Sequence, residues 1–157
     1  MKKIPFCHLH VHSSYSLLDS TIKIKELIST AKKMEMEHVA LTDHAVLFGA
    51  VEFYNEAISS GIKPIIGCDV YVAKHGIEHR KTQRDNMSLV LLAENQIGYE
   101  NLVKLVSKAH LEGMYYKPRI DKSILKPYSE GLIALSGDLH GEVNAACRED
   151  NLEEAER

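Results

Sequence analysis

Apolar side chains recur along the chain at the three- and four-residue spacing of helices that bury one face. The first such stretch covers residues 22–36, and lysines fill its other face. The same spacing, in weaker form, predicts a helix over 49–60 that ends at Gly61, a residue suited to a left-handed C-terminal cap. A third helix is predicted over 98–112, followed by Gly113. The sequence therefore predicts a chain with several amphipathic helices.

Short apolar runs around these helices predict strands, which cover 5–12, 39–42, 64–72, 88–93 and 132–136. Helices between strands imply parallel pairing through right-handed crossovers, so the pattern predicts an α/β fold. The last residues, from Asn151 onward, look like the first turns of a further helix. A sheet of about five strands is an incomplete barrel. We therefore expect this chain to be the front part of a longer polypeptide.

The composition is that of an ordinary soluble domain. The 157 residues are 45% hydrophobic and 26% charged, which is enough apolar material for one core. No segment reaches the roughly 18 apolar residues of a membrane span, and the amino terminus lacks a secretory signal, so we expect a cytoplasmic protein without membrane contact. Cys7, Cys68 and Cys147 have no paired spacing and are predicted to be buried thiols.

The formal net charge of -3 argues against a free-standing nucleic-acid binder, which would need clustered lysine and arginine. Two basic segments, 74–86 and 113–121, leave room for a local contact. The first is also typical of a plain solvated loop, and the tyrosines of the second are equally typical of aromatic rings that cover a barrel rim. The candidates for weak nucleic-acid contacts are Arg80, Lys81, Arg84, Lys117 and Arg119.

His8, His10 and His12 alternate within the first predicted strand, where alternate side chains share a face. Imidazoles grouped in this way are typical of metal sites. An isolated run of this kind is also typical of a solvated terminus or an expression tag.

Further polar side chains follow apolar strands. Asp43 and His44 come directly after the second strand, Asp69 lies within the third, and Asp138 follows the last. A single aspartate at such a place is more typical of a turn or a helix cap. Because α/β folds bind ligands beyond the carboxyl ends of their strands, the repeat of this pattern predicts one convergent metal site.

Longer motifs connect the chain to a family. The motifs are Cys7–Asp19, Leu41–His44, Phe48–Tyr54, Gly61–Cys68 and Tyr116–Asp121. With them the chain closely resembles the amino-terminal PHP (polymerase and histidinol phosphatase) domain of bacterial DNA polymerase III alpha subunits. The histidine motifs occur throughout the PHP superfamily, whereas the others are specific to the replicative polymerases. The resemblance implies that residues 1–157 are the amino-terminal part of a PHP domain, with the rest of the barrel and the polymerase core further along.

The resemblance implies a distorted (βα)7 barrel, similar to a TIM barrel, that holds divalent metal ions (Zn, Mn or Mg) at its strand ends. Carried over position by position, the metal ligands fall on His10, His12, Asp19, His44, Asp69 and Asp138. The histidines at 10, 12 and 44 would also be catalytic. His8 and Asp43 would orient the ligands without binding metal.

The chain also departs from the family pattern. Ser88 stands where the family usually has a metal-binding histidine, and a serine hydroxyl is a poor ligand. Asp69 replaces a longer glutamate, and Asp138 replaces a cysteine, with His140 nearby as a possible compensating ligand. These differences predict weak metal binding, with some of the family's metals depleted in this chain.

The resemblance leaves two roles open for the PHP part. It is either a metal-dependent phosphoesterase of the 3′–5′ exonuclease type or a partly degenerate scaffold. The parent protein would be a DNA-directed DNA polymerase, a nucleotidyltransferase whose partners are its own polymerase core, DNA and replisome subunits that include a proofreading subunit. A stand-alone phosphatase of the histidinol-phosphate type is the alternative, and the length of the coding region distinguishes the two.

Overall fold

The computed structural model describes residues 6–80 and 86–156. In chain order the helices and strands are α1 (Ile24–Lys33), β1 (His38–Leu41), α2 (Ala50–Ser60), β2 (Lys63–Ala73), β3 (Asn86–Ala93), α3 (Gln96–Leu111), β4 (Arg119–Ile120), α4 (Lys122–Leu125), β5 (Leu132–Leu135), α5 (Glu142–Arg148) and α6 (Leu152–Glu156). A 3-10 turn, Lys126–Tyr128, follows α4. The predicted α/β class, with an incomplete barrel, is confirmed.

The three predicted helices are α1, α2 and α3, and Gly61 caps α2 in the left-handed region, with φ 77°. The buried face of α2 is narrower than its sequence suggested. Phe53 is fully buried between two alanines, whereas the apolar side chains of Val51, Tyr54 and Ile58 are exposed.

Gly113 does not cap α3, which ends at Leu111 and has Glu112 as its C-cap. Its role is a close approach, because a Cβ at this position would lie 1.8 Å from the carbonyl oxygen of Arg119. The glycine therefore allows β4 to pass directly beside the end of α3.

The sheet is mixed, with β1, β2, β3 and β5 in that order and β4 paired to the second half of β2. The β1–β2 pair is parallel, as predicted. The β2–β3 pair, for which no intervening helix was predicted, is antiparallel. The β3–β5 pair is also antiparallel although α3 lies between its strands, so the prediction of parallel pairing was wrong there. Two neighbouring strands can run parallel only if the chain crosses back over the sheet between them, usually through a helix. No helix stands between β2 and β3 in the described residues, so the chain turns back and β3 runs antiparallel to β2.

The predicted first strand, 5–12, is not a regular strand in its described residues. It lies along β1, where the amide of Ala40 donates to His8 O and the amide of Thr42 donates to Val11 O. Three residues on one side thus match two on the other, which breaks the ladder. The Thr42 hydroxyl fills the gap, since it accepts from the amide of Val11 at 2.9 Å and donates to its carbonyl.

Two main apolar clusters support the sheet. One lies between α3 and the strands β2, β3 and β4, and the other joins α1 and α2 to β1. Of the three thiols, Cys68 is fully buried, Cys7 is half-buried and Cys147 is exposed, so burial was predicted correctly for Cys68 alone. Among the described helices, none is long and apolar enough to cross a membrane.

Candidate metal centre

The centre of the candidate site is Asp69, which lies in the middle of β2 and is fully buried. The chain beyond β1 stays beside β2 at this point. The amide of Asp69 donates to Asp43 O at 3.1 Å, and the amide of Ala45 donates to Asp69 O at 2.8 Å. His44 therefore lies next to Asp69 as a parallel bridge partner. The parallel pairing of the chain beyond β1 with the middle of β2 thus brings a carboxylate and an imidazole together.

His10 and His12 reach the same carboxylate from the extended segment beside β1. Their Nε2 atoms are 3.1 Å apart and lie 2.9 Å and 3.5 Å from Asp69 Oδ2. Ligand atoms at about 2.0–2.1 Å from a tetrahedral ion lie about 3.3–3.4 Å from one another. The three atoms therefore have the mutual spacing of one face of a metal coordination sphere, and these three residues form the candidate metal group of the described chain.

His44 lies against this group, with its ring centroid 4.0 Å from that of His12. Its Nδ1 is 3.4 Å from Asp69 Oδ2 and is buried, yet it has no hydrogen-bond partner among the described residues. A buried ring nitrogen without a partner is costly unless something else binds it. On the other side of the ring, Nε2 is 3.7 Å from the half-exposed carboxylate of Asp19. These features fit a site that holds a cation.

The electrostatics keep both types of ligand in the form that binds metal. Burial would raise the pKa of Asp69, but hydrogen bonds from His12 and Ser88 and the neighbouring His44 outweigh it and lower the pKa below its ordinary value. Burial lowers the pKa of His44, against the opposing effect of Asp69. At neutral pH Asp69 is therefore ionised and His44 is neutral, and metal binding requires both.

Asp43 has a different role from the one predicted. Its carboxylate is buried and accepts hydrogen bonds from the Ser13 amide (2.6 Å), the Ser13 hydroxyl (2.7 Å) and the Ser16 hydroxyl (2.6 Å). Within the described residues it is linked to His44 by Ser16, whose Oγ accepts from the His44 amide at 3.0 Å. The sequence did not predict this role for Ser13 and Ser16. Serines that follow a pair of histidines do not by themselves indicate which carboxylate their hydroxyls will bind.

The chain matches the model of the PHP domain family over residues 8–157. The chain belongs to the PHP domain family. Two curated relatives, both DNA polymerase III alpha subunits, confirm the resemblance of the motifs. The one from Borreliella burgdorferi is 52% identical over 154 residues, and the one from Thermus aquaticus is 46% identical over 160 residues. These alignments cover 96% and 98% of the chain but 13% of each relative, so the chain spans a small part of their length.

Among solved structures, the chain is similar to an amidohydrolase from Chromobacterium violaceum, with 25% identity and a TM-score of 0.49. The match covers 66% of this chain and 32% of the other.

Ser88, which stands where the resemblance implies a metal ligand, supports Asp69 in this structure. Its hydroxyl donates to Asp69 Oδ1 at 2.8 Å and is buried within β3. With Oδ1 held in this way, Oδ2 is directed at the imidazoles of His10, His12 and His44. Ser88 therefore orients the carboxylate of the candidate metal group.

Replacing Ser88 by alanine is expected to weaken metal binding about tenfold, because removal of a hydrogen-bond partner behind a metal ligand typically costs 10–100-fold. The affinity for Mn²⁺ or Zn²⁺ is measured by isothermal titration of the metal-free protein. Ser107→Ala, on the exposed side of α3, is the matched control. An unchanged affinity in Ser88→Ala would show that Asp69 is held in place without this hydroxyl.

The structure does not bring Asp138 and His140 into the group. Asp138 Oδ1 accepts from the His140 amide at 2.7 Å, and both side chains are exposed. The cause is local, since the aspartate stabilises the turn that leads into α5. This turn is nevertheless connected to the candidate metal group through Ser88, whose amide donates to His140 O at 3.2 Å.

His8 lies outside the group as well, although it alternates with His10. Its side chain is exposed, and its ring meets that of Phe6 edge-on at 4.8 Å. The break in pairing with β1 separates it from the two histidines that follow.

The candidates for nucleic-acid contact have different surroundings. Arg119 is buried, and its guanidinium donates to the carbonyls of Gly113, His79 and Ile77, so it is not available to DNA. Arg80 and Lys117 are exposed. Lys81 and Arg84 lie outside the described residues.

Proposed function

We propose that this chain is the PHP part of a bacterial DNA polymerase III alpha subunit and that His10, His12 and Asp69, with His44 beside them, bind a divalent cation for phosphodiester hydrolysis. The observation that carries the proposal is the spacing of the three ligand atoms, 2.9–3.5 Å apart around a fully buried carboxylate. The high identity to the curated polymerase subunits supports the assignment to the replicative branch.

The protein's own residues provide a distinct set of tasks. His10, His12 and Asp69 would hold the ion, which when bound supplies Lewis acidity and a lowered pKa of bound water. Neutral His44 lies close enough to complete the ligand set or to accept a proton, and Asp19 keeps a carboxylate at its outer nitrogen. Imidazoles suit Zn²⁺ and carboxylates suit Mn²⁺ and Mg²⁺, so this donor set accommodates each of these ions.

The polymerase activity belongs to the rest of the protein in this proposal. Residues of this chain account for 13% of the length of the relatives, and DNA synthesis would be carried out by the nucleotidyltransferase core beyond them. The partners would be that core, DNA and replisome subunits that include a proofreading subunit, and the location would be the cytoplasm. A stand-alone phosphatase of the histidinol-phosphate type is not favoured by these relatives.

A scaffold role is the second candidate, and one observation favours it. Two usual ligand positions of the family, 88 and 138, contribute no ligand here, because Ser88 supports Asp69 and Asp138 stabilises its own turn. A centre reduced in this way could hold an ion for stability alone.

The deciding experiment is digestion of a 3′-end-labelled primer by the full-length subunit that contains this chain, with Mn²⁺, Mg²⁺ or Zn²⁺. We expect the His10→Ala/His12→Ala variant to lose about 100-fold or more of the activity, since two of the three residues proposed to hold the ion disappear. Primer extension by the same preparations controls for an intact polymerase core. Equal digestion by the variant would assign the activity to another source, and no digestion by the wild type with any metal would favour the scaffold.

A further inference from the structure

A tyrosine and a lysine form a second polar feature at the rim of the metal centre. Tyr71 follows Asp69 by two positions in β2, so both side chains lie on the same face of the strand. The Tyr71 ring stacks on that of His44, with 5.8 Å between centroids and 8° between planes. Lys117 Nζ lies 3.1 Å from the Tyr71 hydroxyl oxygen and 4.2 Å from the ring centroid. This Tyr71–Lys117 pair carries positive charge to the edge of the site.

The backbone that presents Lys117 is held in an unusual conformation. Tyr116 has φ 58°, in the left-handed region that a residue with a bulky side chain rarely adopts, and its side chain is exposed. The Tyr115 amide donates to Lys117 O at 3.1 Å and closes the turn. Beneath it, the buried guanidinium of Arg119 lies 5.0 Å from the centre of the Tyr115 ring. A strained turn of this kind persists only where the surroundings fix it, and such turns cluster at ligand-binding sites.

We propose that Lys117 and Tyr71 together bind a phosphate group of the substrate whose phosphodiester bond lies at the metal centre. The inference rests on the proposed function and assigns these residues a binding role. An ammonium group has three donors, and only one is directed at Tyr71. Because the tyrosine oxygen accepts that bond, its own proton is free to be donated to a phosphate oxygen.

The charges of the site explain why such a binding pair is needed. Asp19 and Asp69 place two carboxylates at the centre, and they repel an approaching phosphodiester. A bound cation offsets part of this charge, and Lys117 provides a further positive charge beside Tyr71, the ring that stacks on His44. The Tyr71 ring links this pair to the metal centre, since its centroid lies 5.8 Å from that of His44. A phosphate on the pair would therefore belong to the same substrate as the phosphodiester at the centre.

The test measures binding separately from hydrolysis. Equilibrium dialysis with radiolabelled thymidine 5′-monophosphate, with and without Mn²⁺, is carried out on wild type, Lys117→Gln, Lys117→Arg and Tyr71→Phe. Lys104→Gln is the matched control, because Lys104 is an exposed lysine of α3 and the charge change is the same. Thermal melts of each variant report stability, and isothermal titration of Mn²⁺ reports the metal centre.

We expect Lys117→Gln to weaken nucleotide binding about tenfold, since the variant loses a charge-assisted hydrogen bond to the phosphate. Lys117→Arg should retain most of the affinity, Tyr71→Phe should lose about threefold, and Lys104→Gln should match the wild type. In the primer digestion assay, Lys117→Gln should raise KM and leave kcat nearly unchanged.

Equal nucleotide affinity in wild type and Lys117→Gln would overturn the inference, as would no binding by the wild type. A lower melting temperature without a change in affinity would assign Lys117 a structural role and would also overturn it. Weaker binding by Lys117→Gln in a protein that binds no Mn²⁺ and digests no primer would support the phosphate site and contradict the proposed function.

Discussion

Replacing Asp69 by asparagine is expected to abolish metal binding, with a loss of affinity of at least about 100-fold. Asp69 Oδ2 is the atom that His10, His12 and His44 all approach, at 2.9–3.5 Å, and it is the fully buried charge of the group. An amide keeps the shape but removes the negative charge that offsets a divalent cation in a buried site. Isothermal titration of Mn²⁺ and Zn²⁺ into metal-free protein measures the loss, and elemental analysis after dialysis gives the retained stoichiometry.

Asp138→Asn is the matched control for this prediction. It also tests whether Asp138 binds metal, as the resemblance implies, or stabilises its own turn, as in the structure. Asp138 stands where the resemblance implies a metal ligand, yet its Oδ1 accepts from the His140 amide, a bond that asparagine preserves. We therefore expect less than a twofold change in metal affinity for Asp138→Asn. A loss comparable to that of Asp69→Asn would show that the turn rearranges when metal binds and that Asp138 is a ligand after all.

Much of the site follows from local rules. The alternation of side chains in an extended segment places His10 and His12 together, and the parallel pairing of β1 with β2 places His44 beside Asp69. Both features depend on short-range geometry that the sequence records directly. The resemblance adds Asp19, whose approach to His44 no spacing rule would have indicated.

The parts that the sequence did not reveal depend on contacts between distant segments. The β4 strand has two residues, which is too short for any periodicity, and the glycine at 113, just after the end of α3, lets it pass close by. The break in pairing after His8 depends on the Thr42 hydroxyl, which accepts a hydrogen bond from the amide of Val11, 31 positions away in the chain. Asp43 binds serines rather than the neighbouring imidazole for the same reason, since the loop that wraps it is set by tertiary packing.

Arg119 is the clearest example of a residue whose surroundings could not be predicted from the sequence. In the sequence it belongs to a basic and aromatic segment that is typical of a contact surface. In the structure it is 1% exposed, and its Nε, Nη1 and Nη2 donate to three backbone carbonyls of two other segments. Burial lowers the pKa of its guanidinium, with a further effect from nearby Arg80. The side chain therefore joins the end of β2, the end of α3 and the turn that carries Lys117.

Replacing Arg119 by methionine is expected to lower the free energy of unfolding by ~3 kcal/mol. The substitution fills most of the volume but leaves the carbonyls of Gly113, Ile77 and His79 without their donors, and each unsatisfied buried group costs about 1–3 kcal/mol, less where water can enter. For a domain of this size, that loss corresponds to a melting temperature about 6–12 °C lower. Urea denaturation monitored by circular dichroism measures the free energy, and a thermal melt checks it.

Arg148→Met is the control, because Arg148 is an exposed residue in the last turn of α5 and its replacement removes the same charge. We expect it to change stability by less than about 0.5 kcal/mol. A loss below 1 kcal/mol in Arg119→Met would mean that the three carbonyls find other partners. In that case Lys117 would be held over Tyr71 by the turn alone, and nucleotide binding in Arg119→Met should then match the wild type. If Arg119 anchors the turn, the variant should bind nucleotide more weakly even at temperatures where it remains folded.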